Sequence, residues 1–389
     1  MFRLAGKMRI TAALVTAVLL LIYCTAARGS EKGSNRRVRA RDIGIETGIL
    51  DTGSFNAITD VPGVRVGHKT IIEGDSIRTG VTAILPHSDN LYAEKVPAAL
   101  YIGNGFGKLS GISQVEELGN IETPIILTNT LSVGTAMTAV VRYTMNLPGN
   151  QRVRTVNPVV GETNDGYLND IRELRVTGQD VMEAVESAAG GRVEEGCIGA
   201  GTGTVAFGFK GGIGTSSRVV SIPGVGDYTV GVLVQTNYSG SLRIDGVRID
   251  IYPSAPEPEE SGDDGGSCMI IIATDAPLSP RNLKRLASRS VLGLARTGSV
   301  MSNGSGDYCI AFSTAYRIPA GTPDFRIERL LSNNSMTPMF KAVVEAVEES
   351  VYNSMLMAET VRGYRGRTVR ALPVEEVIRI LKTRGKQGN

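Results

Sequence analysis

The chain has 389 residues, which is enough for one large α/β domain with an ample core. Its 41 basic and 39 acidic residues nearly balance and form no concentrated basic stripe, which excludes nucleic acid as an expected partner. Glycine is abundant at 47 residues and tryptophan is absent, a composition typical of tight turns and closely packed strands.

The first 29 residues have the composition of a secretory signal peptide. A basic start is followed by an apolar stretch over 10–23 and by small residues at 25–27, where a signal peptidase can cut. The apolar stretch is shorter than the roughly 20 residues that a membrane-spanning helix needs. We therefore predict a signal peptide over 1–29 and an exported, periplasmic or extracellular protein over 30–389, with no stable membrane anchor.

The mature chain begins with a basic segment and continues as a dense series of strands. Residues 30–58, starting EKGSNRRVRARD, are predicted to form a mobile arm. Short apolar runs such as GVTAILP and PIILTNTL then alternate with Gly, Pro and Asn turns, as expected for strands. Helical spacing at 130–143 and 178–188 interrupts them, and TVAFGFKGGIGTSSRVVSI and YTVGVLVQTNY predict further strands.

An acidic, glycine-rich loop over 253–266 separates this region from the last third of the chain. Behind it, CMIIIATDA predicts a buried strand, RNLKRLASRSVLGLAR a helix, and DYCIAFSTAY another strand. MFKAVVEAVEESVYNSML predicts an amphipathic helix packed on a sheet, and VEEVIRILKTRG a final helix. Interior strands with helices outside predict an α/β sandwich.

Ser267 stands where the acidic loop ends and the buried strand begins. One interpretation is an ordinary Gly-Ser turn that precedes a strand. The other is cleavage by the chain itself, because Gly266 allows a strained backbone and a close approach of the Ser267 hydroxyl to its carbonyl. The new N-terminal serine would carry a hydroxyl and an α-amine of pKa about 7.7 to 8.0, which removes the hydroxyl proton without a histidine.

Three further segments carry candidate chemistry. In SNGSGDY, Ser305 and Asp307 are two residues apart and so face the same way in an extended segment, where they could orient the nucleophile; the alternative is a turn. In GETNDGYLND, Glu162 could hold a substrate ammonium group, or belong to a solvated turn. In VQTNYSG, the Asn237 amide could stabilise an oxyanion, or simply end a strand.

No cofactor or metal is predicted. GAGTGTVAFGFKGG fits a loose dinucleotide fingerprint, but the glycines after Phe207 break the helix that the fingerprint must open. The two histidines have no visible partner arrangement and are interpreted as structural or surface groups. Three cysteines remain after the signal peptide, so at least one is expected to be free or paired between chains, and nothing suggests a disulfide framework. The sequence shows no metal-ligand spacing either.

These motifs together resemble the DmpA family of self-processing serine aminopeptidases, which comprises L-aminopeptidase/D-esterases and β-aminopeptidases. The resemblance rests on VPGVRVGH, NPVVGETNDGYLND, GAGTGTVAFGFKGGIGTSSR, VQTNY, SCMIIIATDAPL and SNGSGDYCIAFSTA in this order, and covers about residues 42–380. It implies a four-layer αββα fold similar to N-terminal-nucleophile hydrolases. It also implies cleavage of 30–389 into chains 30–266 and 267–389, commonly assembled as a tetramer of such heterodimers.

By position, the resemblance assigns a role to each candidate residue. Ser267 matches the nucleophile, and the cut falls between Gly266 and Ser267. Ser305 and Asp307 match a supporting Ser-x-acid pair, Asn237 matches the oxyanion donor, and Glu162 matches the acid that receives the substrate's amino terminus. An aromatic residue assists catalysis close behind that acid in some members, where this chain offers Asn164 and Tyr167.

The function that follows is removal of an N-terminal amino acid from small peptides, amides or esters through an acyl-enzyme on Ser267. A pocket that grips a terminal ammonium group explains exopeptidase behaviour. Two alternatives are an acyltransferase similar to ornithine acetyltransferase, which cuts before threonine rather than serine, and an exported binding protein with an uncut loop. Whether the chain is found in one piece or two separates the last of these from the enzymes.

Overall fold

The structure is a computed structural model that describes residues 37–251, 266–321 and 327–385, with side chains to 383. The predicted signal peptide and most of the acidic loop lie outside the described residues. From Val38 onward the chain forms one compact unit. Within the described ranges, no helix is both long and apolar enough to span a membrane.

The chain forms seventeen strands and seven α-helices in these ranges. The strands are β1 Arg65–Glu73, β2 Ile77–Leu85, β3 Glu94–Gly105, β4 Asn120–Ile121, β5 Ile125–Asn129, β6 Val159–Thr163, β7 Val205–Ala206, β8 Phe209–Lys210, β9 Ile213–Ile222, β10 Gly226–Asn237, β11 Arg243–Ile244, β12 Val247–Arg248, β13 Gly266–Thr274, β14 Ser305–Ser313, β15 Ile318–Pro319, β16 Val361–Arg362 and β17 Thr368–Val369. The helices are α1 Ile112–Leu118, α2 Val133–Asn146, α3 Gly178–Glu186, α4 Pro280–Ala287, α5 Ser290–Arg296, α6 Met336–Leu356 and α7 Val374–Gly385.

Two mixed sheets form the centre of the fold. The smaller has the strand order β1-β2-β5-β6, and the larger has the order β15-β3-β14-β13-β10-β9 with β4 paired to β3. Side chains of both sheets, among them Leu127, Ile271 and Phe312, form a core between them. Helices α2 and α3 cover the outer face of the smaller sheet, and α4, α5 and α6 cover that of the larger. The predicted four-layer αββα sandwich is confirmed.

The single helix predicted after Ser279 is two helices in the structure. The Ser279 hydroxyl caps α4, as its position before proline predicts, by accepting a hydrogen bond from the Asn282 amide. The helix then ends at Ser288 because the Arg289 amide bonds to the carbonyl of Leu286, three residues back, instead of continuing the α-helical pattern. A tighter turn therefore separates α4 from α5.

The prediction of a mobile arm over 30–58 is wrong for the described residues from 38 onward. The Ala40 amide bonds to the Asn353 side chain at 2.9 Å, and the Arg39 guanidinium bonds to the Thr215 carbonyl at 2.7 Å. Ala40 and Ile45 belong to the core beneath the larger sheet. Arg39 and Arg41 are therefore partly buried partners of acidic and carbonyl groups, which composition alone does not reveal.

Helix α6 is buried on nearly all sides, beyond the single apolar stripe that its sequence predicts. Its acidic residues Glu345 and Glu349 pair with Arg218, a fully buried residue of β9, and the Arg218 to Glu349 distance is 2.7 Å. Burial would raise the pKa of Glu349, but Arg218, Asn56 and Arg41 together hold it below the usual range. The acidic face of α6 is thus an ion-pair network inside the fold.

We predict that Arg218→Met destabilises the protein by about 3 to 5 kcal/mol, because it leaves buried carboxylates without their main counter-charge. Urea unfolding measures the change in the free energy of unfolding. Arg248→Met is the control, because Arg248 pairs with Asp250 at 2.7 Å on the surface, with both side chains more than half exposed. The control should change stability by less than about 0.5 kcal/mol. Equal effects of the two variants would contradict a stabilising role of the network.

Candidate active site

Ser267 lies at the buried start of the central strand of the larger sheet. Strand β13 runs between β10, which is antiparallel to it, and β14, which is parallel to it. The register pairs Ser267 with Asn237 on one side and with Gly306 on the other. Ser267 is only 5 % exposed, and its hydroxyl donates a hydrogen bond of 2.6 Å to the carbonyl oxygen of Gly266. The hydroxyl therefore lies directly against the predicted scissile peptide.

Asn237 shares the face of the sheet on which the Ser267 hydroxyl lies. Paired residues of neighbouring strands point to the same side, and the next residues along this face, such as Met269 and Ile271, pack between the two sheets. The carboxamide oxygen of Asn237 accepts a hydrogen bond of 2.9 Å from the Val205 amide. Its NH₂ group is consequently the end of the side chain that remains to donate.

Ser305 and Asp307 share one face of β14, as their spacing predicts, but it is the opposite face from the Ser267 hydroxyl. They pair with Gly266 and Cys268, the residues before and after Ser267. Cys268 packs with the core under the outer helices rather than between the sheets. Ser305 and Asp307 therefore lie beside the main chain of Ser267, on the face of the sheet opposite to its hydroxyl. The uncut chain does not show the relay to the hydroxyl that their spacing suggested.

The two side chains are buried without full hydrogen bonding. Within the described part of the chain, the Ser305 hydroxyl and both Asp307 carboxylate oxygens have no partner at hydrogen-bond distance. Burial raises the pKa of Asp307 to about 6, and the nearby Ser305 hydroxyl and Cys268 amide limit the rise. Buried polar atoms without a partner are rare. This pair is thus prepared to receive a further polar group beside the Ser267 main chain.

Glu162 is at the end of β6 in the smaller sheet and is 2 % exposed. Its carboxylate accepts a hydrogen bond of 2.8 Å from the Lys108 amide, and burial raises its pKa while Lys108 and Thr130 oppose the rise. A Cβ atom at Gly107 would lie 2.9 Å from the Glu162 carboxylate, so only glycine lets the chain pass this close. The carboxylate is held by few donors for a buried acid, and it can accept more.

A cleft of about 490 Å³ adjoins Glu162. Lys108 and Tyr308 line it, and both are close to Glu162. Tyr308 lies on the same face of β14 as Gly306, the residue paired with Ser267. The remaining lining is mainly apolar and includes Ile102, Leu109, Ile112, Val133 and Met137. Another cleft of about 620 Å³ lies between α2 and α3 and has no serine, threonine, cysteine or acid in its lining.

The two residues proposed close behind Glu162 have local contacts. The Asn164 side chain accepts a hydrogen bond of 2.9 Å from the Gly166 amide, which closes a turn. The Tyr167 ring packs under the Arg367 guanidinium at 4.7 Å. A part in catalysis for either residue stays a prediction.

Sequence reasoning missed Lys108 and Tyr308. Tyr308 could have been found, because it directly follows Asp307 and strand alternation places it on the other face of β14. Lys108 could not, because it contacts Glu162 through a backbone amide that every residue type except proline possesses. The two histidines are structural as interpreted: His68 bonds to Thr82 with its pKa lowered by burial to about 4, and His87 bonds to the Glu94 carbonyl.

Four layers with a buried serine at the start of the central strand, an amide donor opposite it and a carboxylate beside an adjoining cleft are the arrangement of an α/β-sandwich hydrolase with a fold similar to the Ntn hydrolases. The comparisons with known proteins agree. Residues 56–369 match Peptidase family S58. The chain is 39 % identical to the beta-peptidyl aminopeptidase BapA of Sphingosinicella xenopeptidilytica, over 95 % of this chain and 96 % of that protein.

Solved structures show the same fold. The L-aminopeptidase D-Ala-esterase/amidase of Ochrobactrum anthropi, described as a variant of the Ntn hydrolase fold, matches with a TM-score of 0.84 and 38 % identity, over 89 % of this chain and 99 % of that one. A Burkholderia beta-aminopeptidase matches with a TM-score of 0.83, 38 % identity and the same coverage. The chain belongs to Peptidase family S58 and is a hydrolase, an aminopeptidase. The resemblance to the DmpA family is confirmed.

We predict that Asp307→Asn, made in an uncut Ser267→Ala chain, has a higher free energy of unfolding than its parent. This difference should grow as the pH rises. The pKa of Asp307 in the folded chain is about 6, above its ordinary value of 3.8, so its contribution to stability is fully present below about pH 4 and is lost as the pH rises through 6. Asparagine carries no such loss. The gain of the variant between pH 4 and 7.5 should be on the order of 2 kcal/mol.

Urea unfolding at a series of pH values measures this gain. Asp227→Asn serves as the control, because Asp227 is exposed at the other end of β10. The control variant should differ from its parent by the same amount at every pH. If Asp307→Asn changed the free energy of unfolding by the same amount at every pH, burial would not raise the pKa of this carboxyl.

Proposed function

We propose that the chain cuts itself between Gly266 and Ser267 and then acts as an aminopeptidase with Ser267 as its N-terminal nucleophile. The observation that carries the proposal is the 2.6 Å hydrogen bond from the Ser267 hydroxyl to the Gly266 carbonyl, opposite Asn237 in the register. The products would be chains 30–266 and 267–389. They would stay together because β13 of the shorter chain pairs with β10 of the longer chain, and β14 pairs with β3, within the larger sheet.

The cut proceeds by an acyl shift followed by hydrolysis. The Ser267 oxygen attacks the Gly266 carbonyl carbon, the C–N bond breaks, and the nitrogen takes up the hydroxyl proton to become the α-amine. Water then hydrolyses the resulting ester, which leaves a carboxylate on Gly266 and restores the hydroxyl. The new amine would be received by Ser305 and Asp307, whose buried oxygens have no hydrogen-bond partner in the described chain.

The same groups would then act on a substrate. The α-amine removes the Ser267 hydroxyl proton as the oxygen attacks the substrate carbonyl, and returns it to the leaving amine or alcohol. The Asn237 amide stabilises the oxyanion, while Glu162 binds the substrate ammonium through a charge-assisted hydrogen bond. Water releases the acyl group. Asn164 and Tyr167 remain candidates for assistance near Glu162.

The proposed substrates are small peptides, amides or esters with a free amino terminus. The names of the relatives support this range, since they include beta-peptidyl aminopeptidases and an L-aminopeptidase D-Ala-esterase/amidase. The apolar cleft beside Glu162 would receive the side chain of the first residue. We also propose export by the signal sequence over 1–29, and assembly of the cut heterodimers into an oligomer, as the family resemblance implies.

We predict that the purified protein consists of two chains, one of which begins Ser-Cys-Met-Ile, and that Ser267→Ala remains one chain. Intact mass with N-terminal sequencing measures both outcomes. In an export-competent host, the same spectrum shows whether the longer chain starts near residue 30.

Ser267→Cys is the matched variant, because it keeps a nucleophile of similar size and should still be cut, although at a different rate. A native protein that remains one chain in full would rule out the amine-assisted mechanism. Circular dichroism of Ser267→Ala checks that an uncut chain has folded.

We predict that Glu162→Gln lowers kcat/KM for aminoacyl p-nitroanilides by about 10- to 100-fold, mainly through KM, because a charge-assisted hydrogen bond to the ammonium is lost. In the wild type, KM should rise as the pH falls through the raised pKa of Glu162, since the protonated acid no longer attracts a cation. In the variant, KM should be high at every pH.

Glu173→Gln is the control, because Glu173 is an exposed acid further along the same segment. It should leave KM and its pH dependence unchanged. A normal KM in Glu162→Gln would reject this carboxylate as the ammonium site while leaving the nucleophile untouched.

A further inference from the structure

Lys210 is a fully buried lysine that the proposed chemistry does not use. It lies on β8, and its ammonium group donates to the carbonyl oxygens of Gly201 at 2.9 Å and Gly211 at 2.8 Å. Among the described residues, no carboxylate forms an ion pair with it. Burial lowers the pKa of Lys210, while the nearby Cys197 and Asp165 raise it. Burying a charged group lowers the stability of the fold. We therefore ask what the contacts of Lys210 hold in place.

The two carbonyls mark the two ends of one glycine-rich segment. Residues 201–211 leave the short helix Gly199–Gly201, form the β7–β8 hairpin and return to the start of β9. The hairpin turn uses Phe207 and Gly208, both with positive φ. The Lys210 ammonium therefore ties the beginning of this segment to its end.

The segment holds the proposed oxyanion donor. Val205 is paired with Lys210 across the hairpin, and the Val205 amide donates the 2.9 Å hydrogen bond to the Asn237 carboxamide oxygen. That bond engages the oxygen of the carboxamide and leaves the NH₂ group to donate. The Phe207 amide also bonds to the Tyr238 carbonyl at 2.8 Å, which fixes the hairpin against the end of β10.

We propose that Lys210 is a positioning residue for oxyanion stabilisation, which acts by clamping segment 201–211 so that the Val205 amide orients the Asn237 carboxamide. The proposal rests on the function proposed above for Asn237. Oxyanion donors must lie within a few tenths of an ångström of their position in the transition state, so a loosened clamp reduces kcat without weakening the binding of the substrate ammonium at Glu162.

The test is a double-mutant cycle on the cut enzyme with an aminoacyl p-nitroanilide, with concentrations corrected for the cut fraction by mass. Asn237→Ala should lower kcat by about 100-fold, the usual effect of removing such a donor. Lys210→Met should lower kcat about 10-fold or more with KM within about twofold, and should have almost no further effect in the Asn237→Ala background. Where a variant remains uncut, the half-time of its self-cleavage replaces kcat.

A second pair of variants keeps the test valid if Lys210→Met does not fold. The Thr204 hydroxyl donates to the same Gly201 carbonyl at 3.1 Å, whereas the Thr202 hydroxyl donates to the Gly199 carbonyl at 2.7 Å. Thr204→Val should lower kcat in the presence of Asn237 only, and Thr202→Val should leave it unchanged.

Two results would overturn the proposal, and they are distinguishable. Equal losses of kcat from Lys210→Met, or from Thr204→Val, with and without Asn237 would show that the clamp acts through something else, and the proposed function would stand. An unchanged kcat in Asn237→Ala alone would remove the oxyanion role itself, and with it both the proposed function of Asn237 and any need to position it.

Discussion

The pairing of β13 with both of its neighbours is the constraint on which the site depends. A strand that is hydrogen-bonded on two sides and packed on two faces has no freedom at its first residues, so the Ser267 hydroxyl and the Gly266 carbonyl are held together. The antiparallel neighbour contributes Asn237 on the hydroxyl side. The parallel neighbour contributes Ser305 and Asp307 on the other side. One hydrogen-bonding register thus places the Ser267 hydroxyl and Asn237 on one face of the sheet, and Ser305 and Asp307 on the other.

The sandwich brings the remaining groups to this strand end from distant parts of the sequence. Glu162 comes from the smaller sheet, and the gap between the sheets gives it a dry position beside the cleft. Burial raises the pKa of both Glu162 and Asp307, so the fold keeps these acids at a cost to stability. Such a cost is expected where charged groups are held for a ligand rather than for one another. The Arg218 network shows the contrast, since its acids are neutralised within the fold.

Local patterns in the sequence predicted most of the longer strands, most helices and the common face of Ser305 and Asp307, because alternation along a strand is a local property. They could not predict that this face is turned away from the Ser267 hydroxyl. That relation depends on the register between β13 and β14, which is set by packing of residues far apart in the chain. The packing of Ala40 and Ile45 into the core and the burial of the acidic side of α6 were missed for the same reason. Their charged residues find partners more than a hundred positions away, such as Glu349 for Arg218.

The unpaired oxygens of Ser305 and Asp307 bear on the relative stability of the uncut chain and the proposed cut form. In the uncut chain these oxygens have no partner at hydrogen-bond distance among the described residues, and the nitrogen of Ser267 is a peptide N–H. On the proposed mechanism, cleavage converts this nitrogen into an amine with additional N–H groups next to these two acceptors. The cut form would then give the oxygens of Ser305 and Asp307 hydrogen bonds that they lack in the precursor. A positively charged amine would also favour the ionised form of Asp307. The free energy lost by burying these oxygens in the precursor would be recovered after the cut, which favours the cleaved state without any further binding partner.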